Sequence, residues 1–404
     1  MRTPILLVAS LLGFVIAGFL LHQGFYTHSE ISDLPEYRAI GRSIETGMWP
    51  YRDFAVEYPP AALPAFLLPE VLPPGGDDGY RYVFERLMWA CGGVVLLGMA
   101  LTLRGLDASH VRAGAALAFA ALAPLALGTV YLLRFDLWPA ALVALALAAV
   151  VGGHLRTGSV LLGLGTAAKV YPAALLPLAV AYAWRRAGRS EAIMCGAGFV
   201  VALAAVVAPF VVIAPDGVWA SLVRQLERPL QLESLGAAGL MVAHHVAGFD
   251  VTVAKSAGSD NITGELSDAL AALHGLVQVG TLAVLWVAFA RGDATPERLV
   301  RYAAAATTAY VALGKVLSPQ YLIWLVPLVP LVRGRRGAAA SLILAVALVL
   351  TQFWFPFRYY DLRDLEDGFA IWLVLARDVG LLLLLAVLVV PLTRAHGPSE
   401  PTAR

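Results

Sequence analysis

Carboxylates, tyrosines and basic side chains gather in two polar stretches, residues 27–83 and 214–266, and at a few interruptions of otherwise apolar sequence. A carboxylate near an outer surface can take a proton, and a lysine or arginine beside it can hold an anion. In the first stretch Asp33 and Glu36 open a run in which Leu34, Tyr37, Ile40 and Ile44 recur at three- and four-residue steps up to Gly47. That spacing predicts a short amphipathic helix with its apolar face toward lipid headgroups. Asp33 with Glu36 three residues on also fits a capping box, which gives Asp33 a purely structural use. Further along, Asp53, Glu57 and Tyr58 stand in Tyr51-Arg52-Asp53-Phe54-Ala55-Val56-Glu57-Tyr58-Pro59-Pro60, denser in ionisable and aromatic groups than solubility needs. The structural alternative there is an ion pair between Arg52 and one carboxylate.

Two of the three lysines sit at breaks in apolar sequence, in Lys169-Val170-Tyr171-Pro172 and Lys315-Val316-Leu317-Ser318-Pro319. Each is a proline kink with a snorkelling lysine, or a broken helix lining a cavity where the lysine meets an anion. Arg134 precedes Asp136 by two residues and either pairs with it or faces an anion. His244-His245 can shuttle a proton or be solvated, and Asp77-Asp78 between glycines can hold a divalent cation or form a solvated turn. Arg377-Asp378 lies about two turns into the last apolar run, where ionisable groups face an interior. Asn261-Ile262-Thr263 is a glycosylation sequon. The chain has no phosphate-cradling GxxxxGK[ST], no GxGxxG after a strand, no HExxH and no GxSxG, so a sugar-nucleotide donor is not expected.

These groups are positioned by a membrane framework. Of 404 residues 59% are hydrophobic and 14% charged, with a mean hydropathy of +0.75, against roughly 25% charge in soluble domains. That composition rules out a nucleic-acid binder, the net charge of +1 gives no global field toward polyanions, and Cys91 and Cys195 read as small buried hydrophobes. At about 20 residues per span, helices are expected near 4–26, 84–103, 113–131, 135–152, 158–169, 171–184, 192–213, 267–290, 302–316, 318–332, 337–355 and 369–393. The run from Pro4 to Leu21 is longer than a secretory signal needs and reads as a retained helix. Residues 61–74 read as re-entrant or interfacial, and Gly163-Leu164-Gly165 as helix packing. The segments flanking Lys169 and Lys315 are too short to cross about 30 Å of hydrocarbon, so both pairs turn in its outer half. Basic residues, among them Arg2, Arg394 and Arg404, are nearly even across the two sides. The short-loop clusters Arg185-Arg186-x-x-Arg189 and Arg333-x-Arg335-Arg336 decide the orientation, with both termini in the cytoplasm. Residues 27–83, 214–266 and 355–368 then face outward.

The order Ser32-Asp33-Leu34-x-x-Tyr37, Tyr51-Arg52-Asp53-Phe54-x-x-Glu57-Tyr58-Pro59-Pro60, Arg134-Phe135-Asp136, Lys169-Val170-Tyr171-Pro172, Arg228-Pro229-Leu230-Gln231-x-Glu233-Ser234 and Ser318-Pro319-Gln320-Tyr321 resembles the family-87 glycosyltransferases. Those are membrane-embedded GT-C enzymes, best known as mannosyltransferases that use polyprenyl-phosphate-mannose. The resemblance implies an all-α integral membrane protein, a GT-C-like multi-pass helical bundle of about 12 transmembrane segments. It would carry broken or re-entrant helices and extracytoplasmic loop helices in a single polytopic domain over 1–404. It implies Asp33 as the catalytic base of an inverting transfer on the extracytoplasmic side of a bacterial plasma membrane. The departing phosphate would be met by Arg134, Lys169, Lys315 or Arg358, with Asp53, Glu57, Tyr58, His244, His245, Gln320 and Tyr321 as further substrate contacts. The partners implied are a polyprenyl-phosphate-linked sugar, a glycolipid or cell-envelope glycan acceptor and membrane lipids, with no metal, cofactor or nucleic acid.

A polytopic lipid-carrier flippase or transporter is the alternative, because broken helices in two similar places also mark transporter sites. A coupled transporter needs ionisable groups at mid-membrane, whereas here they gather in outer loops. A non-catalytic lipid-binding subunit is a third reading, and it would tolerate loss of Asp33.

Overall fold

A computed structural model describes residues 3–72 and 76–390. Arg2, Arg394 and Arg404, and the end of the helix expected to reach 393, lie outside the described residues. The chain opens with α1 (Thr3–Leu20), α2 (Leu34–Glu45), α3 (Leu63–Val71), α4 (Gly76–Gly105), α5 (His110–Leu127), the single turn α6 (Val130–Leu133) and α7 (Leu137–Val151). It continues through α8 (Leu155–Ala168), α9 (Leu176–Ala187), α10 (Arg189–Ile213) and α11 (Pro215–Leu226) to strand β1 (Leu230–Gln231) and α12 (Leu235–Ala247). Strands β2 (Thr252–Ser256) and β3 (Ser259–Thr263) precede α13 (Glu265–Arg291), α14 (Pro296–Ala312), α15 (Gly334–Trp354), α16 (Tyr359–Arg363) and α17 (Gly368–Val389).

Among the described residues six helices, α4, α5, α10, α13, α15 and α17, are long and apolar enough to cross a membrane. The remaining apolar segments are shorter, so length does not establish the expected count of twelve. Residues 318–332 form no α-helix; they fold as 3-10 turns Pro319–Leu325 and Val329–Leu331, because prolines at 319, 327 and 330 remove backbone donors. The break at Lys169 is present, with a 3-10 turn over Tyr171–Leu175 between α8 and α9. Small residues let the helices close up. A Cβ on Gly163 would stand 2.5 Å from the Phe199 carbonyl oxygen, which is how α8 meets α10. Cys91 and Cys195 are buried free thiols.

Two expectations for the polar stretches change. The second is not purely helical: β1, β3 and β2 make a small antiparallel sheet in that order, with Leu230 opposite Ile262 and Val253 opposite Ile262 on the other side. Asn261 is fully buried in it and its amide donates to the Ser256 carbonyl at 2.8 Å, so the sequon is a structural element of the hairpin. In the first stretch, α2 starts with Pro35 in its first turn and stops before Gly47, which takes φ 90. Its apolar face turns to protein rather than to headgroups. Tyr37 is 1% exposed and stacks on Phe66 at 4.4 Å. Gly41 allows this approach, since a Cβ there would lie 2.3 Å from the Phe66 carbonyl oxygen. Of residues 61–74, read as re-entrant or interfacial, the part up to Val71 packs under α2 and against α4.

Candidate active site

Asp33 immediately precedes α2, yet its side chain caps nothing; the Leu34 amide donates instead to the Ser32 hydroxyl at 3.1 Å. The carboxylate is free for other partners. Tyr37 donates to its Oδ2 at 3.3 Å and the Arg134 guanidinium pairs with its Oδ1. Asp33 keeps 31% of its side chain exposed, whereas Arg134 keeps 5%. Arg134 follows the single turn α6 and also donates to the Ile31 carbonyl at 3.2 Å, so both of its contacts clamp the Ile31–Asp33 segment.

Of the two alternatives for Arg134, the pairing with Asp136 is not formed. Asp136, fully buried, accepts from Lys169 Nζ at 2.7 Å and from Trp324 Nε1 at 2.8 Å. Lys169 lies over the rings of Phe135, Tyr321 and Trp324 at 4.6, 5.0 and 5.1 Å, and Trp324 stacks between Tyr171 and Tyr321. One carboxylate thus ties together the three irregular segments at 134–136, 169–171 and 318–324. Each can leave helical geometry because aromatic and polar side chains of the other two cover it.

A second polar group comes from the loops. Gln231 Nε2 donates to Glu233 at 2.5 Å and to the Ser318 hydroxyl at 2.9 Å, and the Glu233 carbonyl accepts from Arg377 at 2.7 Å. Arg377 is fully buried and paired with Asp378 at 2.7 Å, so this pair locks α17 to the residues before α12. Burial pushes the Glu233 carboxyl up to about 8, opposed by Arg377 and Arg134 and reinforced by Asp260 and Asp378. Asp260 in turn accepts from Tyr359 at 2.7 Å. Arg228 lies close enough to Glu36, Lys169, Lys315 and Tyr321 for its charge to act on each, and it donates to Ser259 at 3.0 Å. Glu36 is raised by burial and by Glu57, and lowered by a hydrogen bond from Tyr58 and by Arg228. Arg134 and Arg228 each keep a buried Nε with no hydrogen-bond partner among the described residues.

The structure therefore gathers Asp33, Arg134, Lys169, Glu57, Tyr58 and Tyr321 around one centre, with Lys315 at its edge donating to the Leu226 carbonyl at 2.7 Å. Others stand apart. Asp53 is held by Arg52 at 2.8 Å and by the Trp49 amide at 2.8 Å, contacts that take its carboxyl down to about 2 on an exposed turn. Arg358 pairs with Asp367 at 3.2 Å and lies over Phe369; its neighbour Tyr359 is the residue that reaches inward. His244 contacts the Phe249 carbonyl at the far end of α12, and His245 packs against Gly368. Gln320 is half-buried beside Tyr321, and Asp77 pairs with Arg38. Asp260 and Tyr359 were not singled out from sequence, and Glu36, Tyr37, Arg228 and Glu233 stood there only as helix or motif residues without a role at the site. The usable signal was Glu233, an acid set between Leu232 and Ser234 in a run that ends in an apolar helix.

The family model of glycosyltransferase family 87 matches residues 56–319, nearly two thirds of the chain. The chain belongs to glycosyltransferase family 87. Asp33 lies before the matched residues and Tyr321 and Arg358 after them, so the match covers Arg134, Lys169, Arg228 and Glu233 but not the carboxylate that Arg134 holds. Among solved structures the family-87 chain is similar to ArnT from Cupriavidus metallidurans bound to undecaprenyl phosphate, at 14% identity and a TM-score of 0.50. That likeness covers 95% of this chain and 76% of that one and identifies the fold as GT-C. No curated protein matches.

Proposed function

We propose that this family-87 enzyme transfers a sugar from a polyprenyl-phosphate carrier to a glycolipid or cell-envelope glycan, with mannose the first donor to test. The end of the bundle bearing residues 27–83 and 214–266 is then extracytoplasmic and the arginine-rich turns are cytoplasmic, as the positive-inside rule requires. One observation carries the reading: a partly exposed carboxylate, Asp33, sits against a buried guanidinium, Arg134, at that end of the bundle. Inverting transfer needs those two functions side by side. Asp33 takes the proton of the acceptor hydroxyl as its oxygen attacks the anomeric carbon. The bond from that carbon to the phosphate oxygen breaks, its electron pair leaves with the phosphate, and Arg134 and Arg228 meet the anion.

Lys169 supports this indirectly, because it is engaged by Asp136 and orients the segment that carries Arg134. The undecaprenyl phosphate bound to ArnT supports a carrier of the same chemistry for this chain. A transporter reading has less behind it: the ionisable pair within α17 is bonded to itself and to the Glu233 carbonyl.

The test is Asp33→Asn in membranes supplied with labelled polyprenyl-phosphate-mannose and candidate acceptors. Transfer lowered by about 10²–10⁴-fold supports Asp33 as base; undiminished transfer removes it.

A further inference from the structure

Arg134 has four carboxylates within reach of its charge, and three of them are engaged elsewhere. Glu30 is held by Arg81 at 2.9 Å, Asp136 is taken by Lys169 and Trp324, and Glu233 is hydrogen-bonded to Gln231 and lies in surroundings that favour its neutral form. Asp33 is the remaining partner, in direct contact with the guanidinium, partly exposed and carried on a loop. A guanidinium that is 5% exposed loses much of its hydration and must keep an anion beside it. A phosphate brought against Arg134 would meet that need with more oxygens than Asp33 offers.

Resting on the donor reading above, we propose that Arg134 is the positioning residue of the site and exchanges partners. It pairs with Asp33 before the donor arrives and with the carrier's phosphate afterwards, which releases Asp33 for the acceptor hydroxyl. Tyr37, which donates to Oδ2 rather than Oδ1, keeps the released carboxylate in place. Asp33 and the phosphate therefore compete for one guanidinium, so removing Asp33 tightens binding of the phosphate while it destroys transfer.

The experiment measures binding of a short-chain polyprenyl phosphate to the purified full chain in detergent, with the matching polyprenol and inorganic phosphate as further probes. Asp33→Asn is expected to bind polyprenyl phosphate about tenfold more tightly than wild type, about 1.4 kcal/mol, and the polyprenol no differently. In an Arg134→Gln background the same change is expected to alter affinity by less than about twofold. A mere field effect would give the same gain in both backgrounds and would overturn the exchange. Should Arg134→Gln not fold, salt decides: contact competition survives 1 M salt, where the screening length is about 3 Å, and disappearance of the gain overturns the proposal. A gain confined to inorganic phosphate would also overturn it for a lipid donor. Binding without any gain in Asp33→Asn removes the exchange and leaves the donor reading standing. No binding of polyprenyl phosphate by either protein removes both.

Discussion

Replacing Lys169 by Met is expected to destabilise the protein strongly, and the size follows from what the lysine leaves behind. Asp136 is fully buried, its Oδ1 shared by Lys169 Nζ at 2.7 Å and Trp324 Nε1 at 2.8 Å, and its Oδ2 has no partner among the described residues. Without the ammonium the carboxylate keeps one hydrogen bond and no cation in contact, since the Arg134 guanidinium is paired with Asp33. Breaking a buried pair this way costs about 3–5 kcal/mol. Lys169 keeps 17% of its side chain exposed, which puts the value in the lower half of that range. At about 2 °C per kcal/mol for a chain of this size, the apparent melting temperature in detergent should fall by about 6–8 °C. The double variant Asp136→Leu/Lys169→Met removes both charges and should recover most of the loss, short of about 1 kcal/mol for the acceptor Trp324 no longer has. It should also retain affinity for polyprenyl phosphate, because the lysine acts here on Asp136 and not on the donor. A single variant melting within a degree of wild type, or a double variant no more stable than the singles, would refute the ion-pair account. Lost phosphate affinity in a stable double variant would return Lys169 to the donor site.

Other outcomes follow from the same geometry. Gly41→Ala places a methyl 2.3 Å from the Phe66 carbonyl oxygen, so α2 must lift off residues 60–71 at about 1–3 kcal/mol, read as a lower melting temperature together with lower transfer because Asp33 shifts with α2. Glu233 is protonated more readily in the fold than in the unfolded chain, so its contribution is fully present below the ordinary carboxyl value and is lost as pH rises through about 8. Wild type should therefore lose stability relative to Glu233→Gln between pH 5 and pH 8.5, and parallel melting curves over that range would contradict the raised value. Gly163→Leu should separate α8 from α10, seen as reduced yield of monodisperse protein, since the Phe199 carbonyl stands 2.5 Å from the added Cβ. Arg358→Gln should leave transfer within about twofold, because its contacts are Asp367 and Phe369; a larger loss would bring it back to the donor.

Much of the framework was readable from local chemistry. Apolar runs, proline and glycine mark α4, α5, α10, α13, α15 and α17 and the break at Lys169, since hydropathy and backbone donors are properties of neighbours in the chain. The length rule failed at residues 318–332, where three prolines in an apolar run leave 3-10 turns that are buried from Leu322 to Val332. Periodicity correctly placed α2 but could not say what its apolar face meets, because lipid and the rings of Phe66, Phe84 and Phe135 are equally good apolar partners.

The ion pairs were the part that spacing could not supply. Proximity in sequence suggested Arg134 with Asp136, whereas Arg134 holds Asp33, a hundred residues earlier, and Asp136 holds Lys169 and Trp324. Glu233 and Arg228, which share a motif in sequence but had no assigned role, are drawn inward by the sheet of β1, β3 and β2 and by Arg377 of α17. Charge pairing depends on distance and local hydration. Both are set when helices remote in sequence pack, so the chain alone specifies the kinds of groups at the site, and packing chooses their partners.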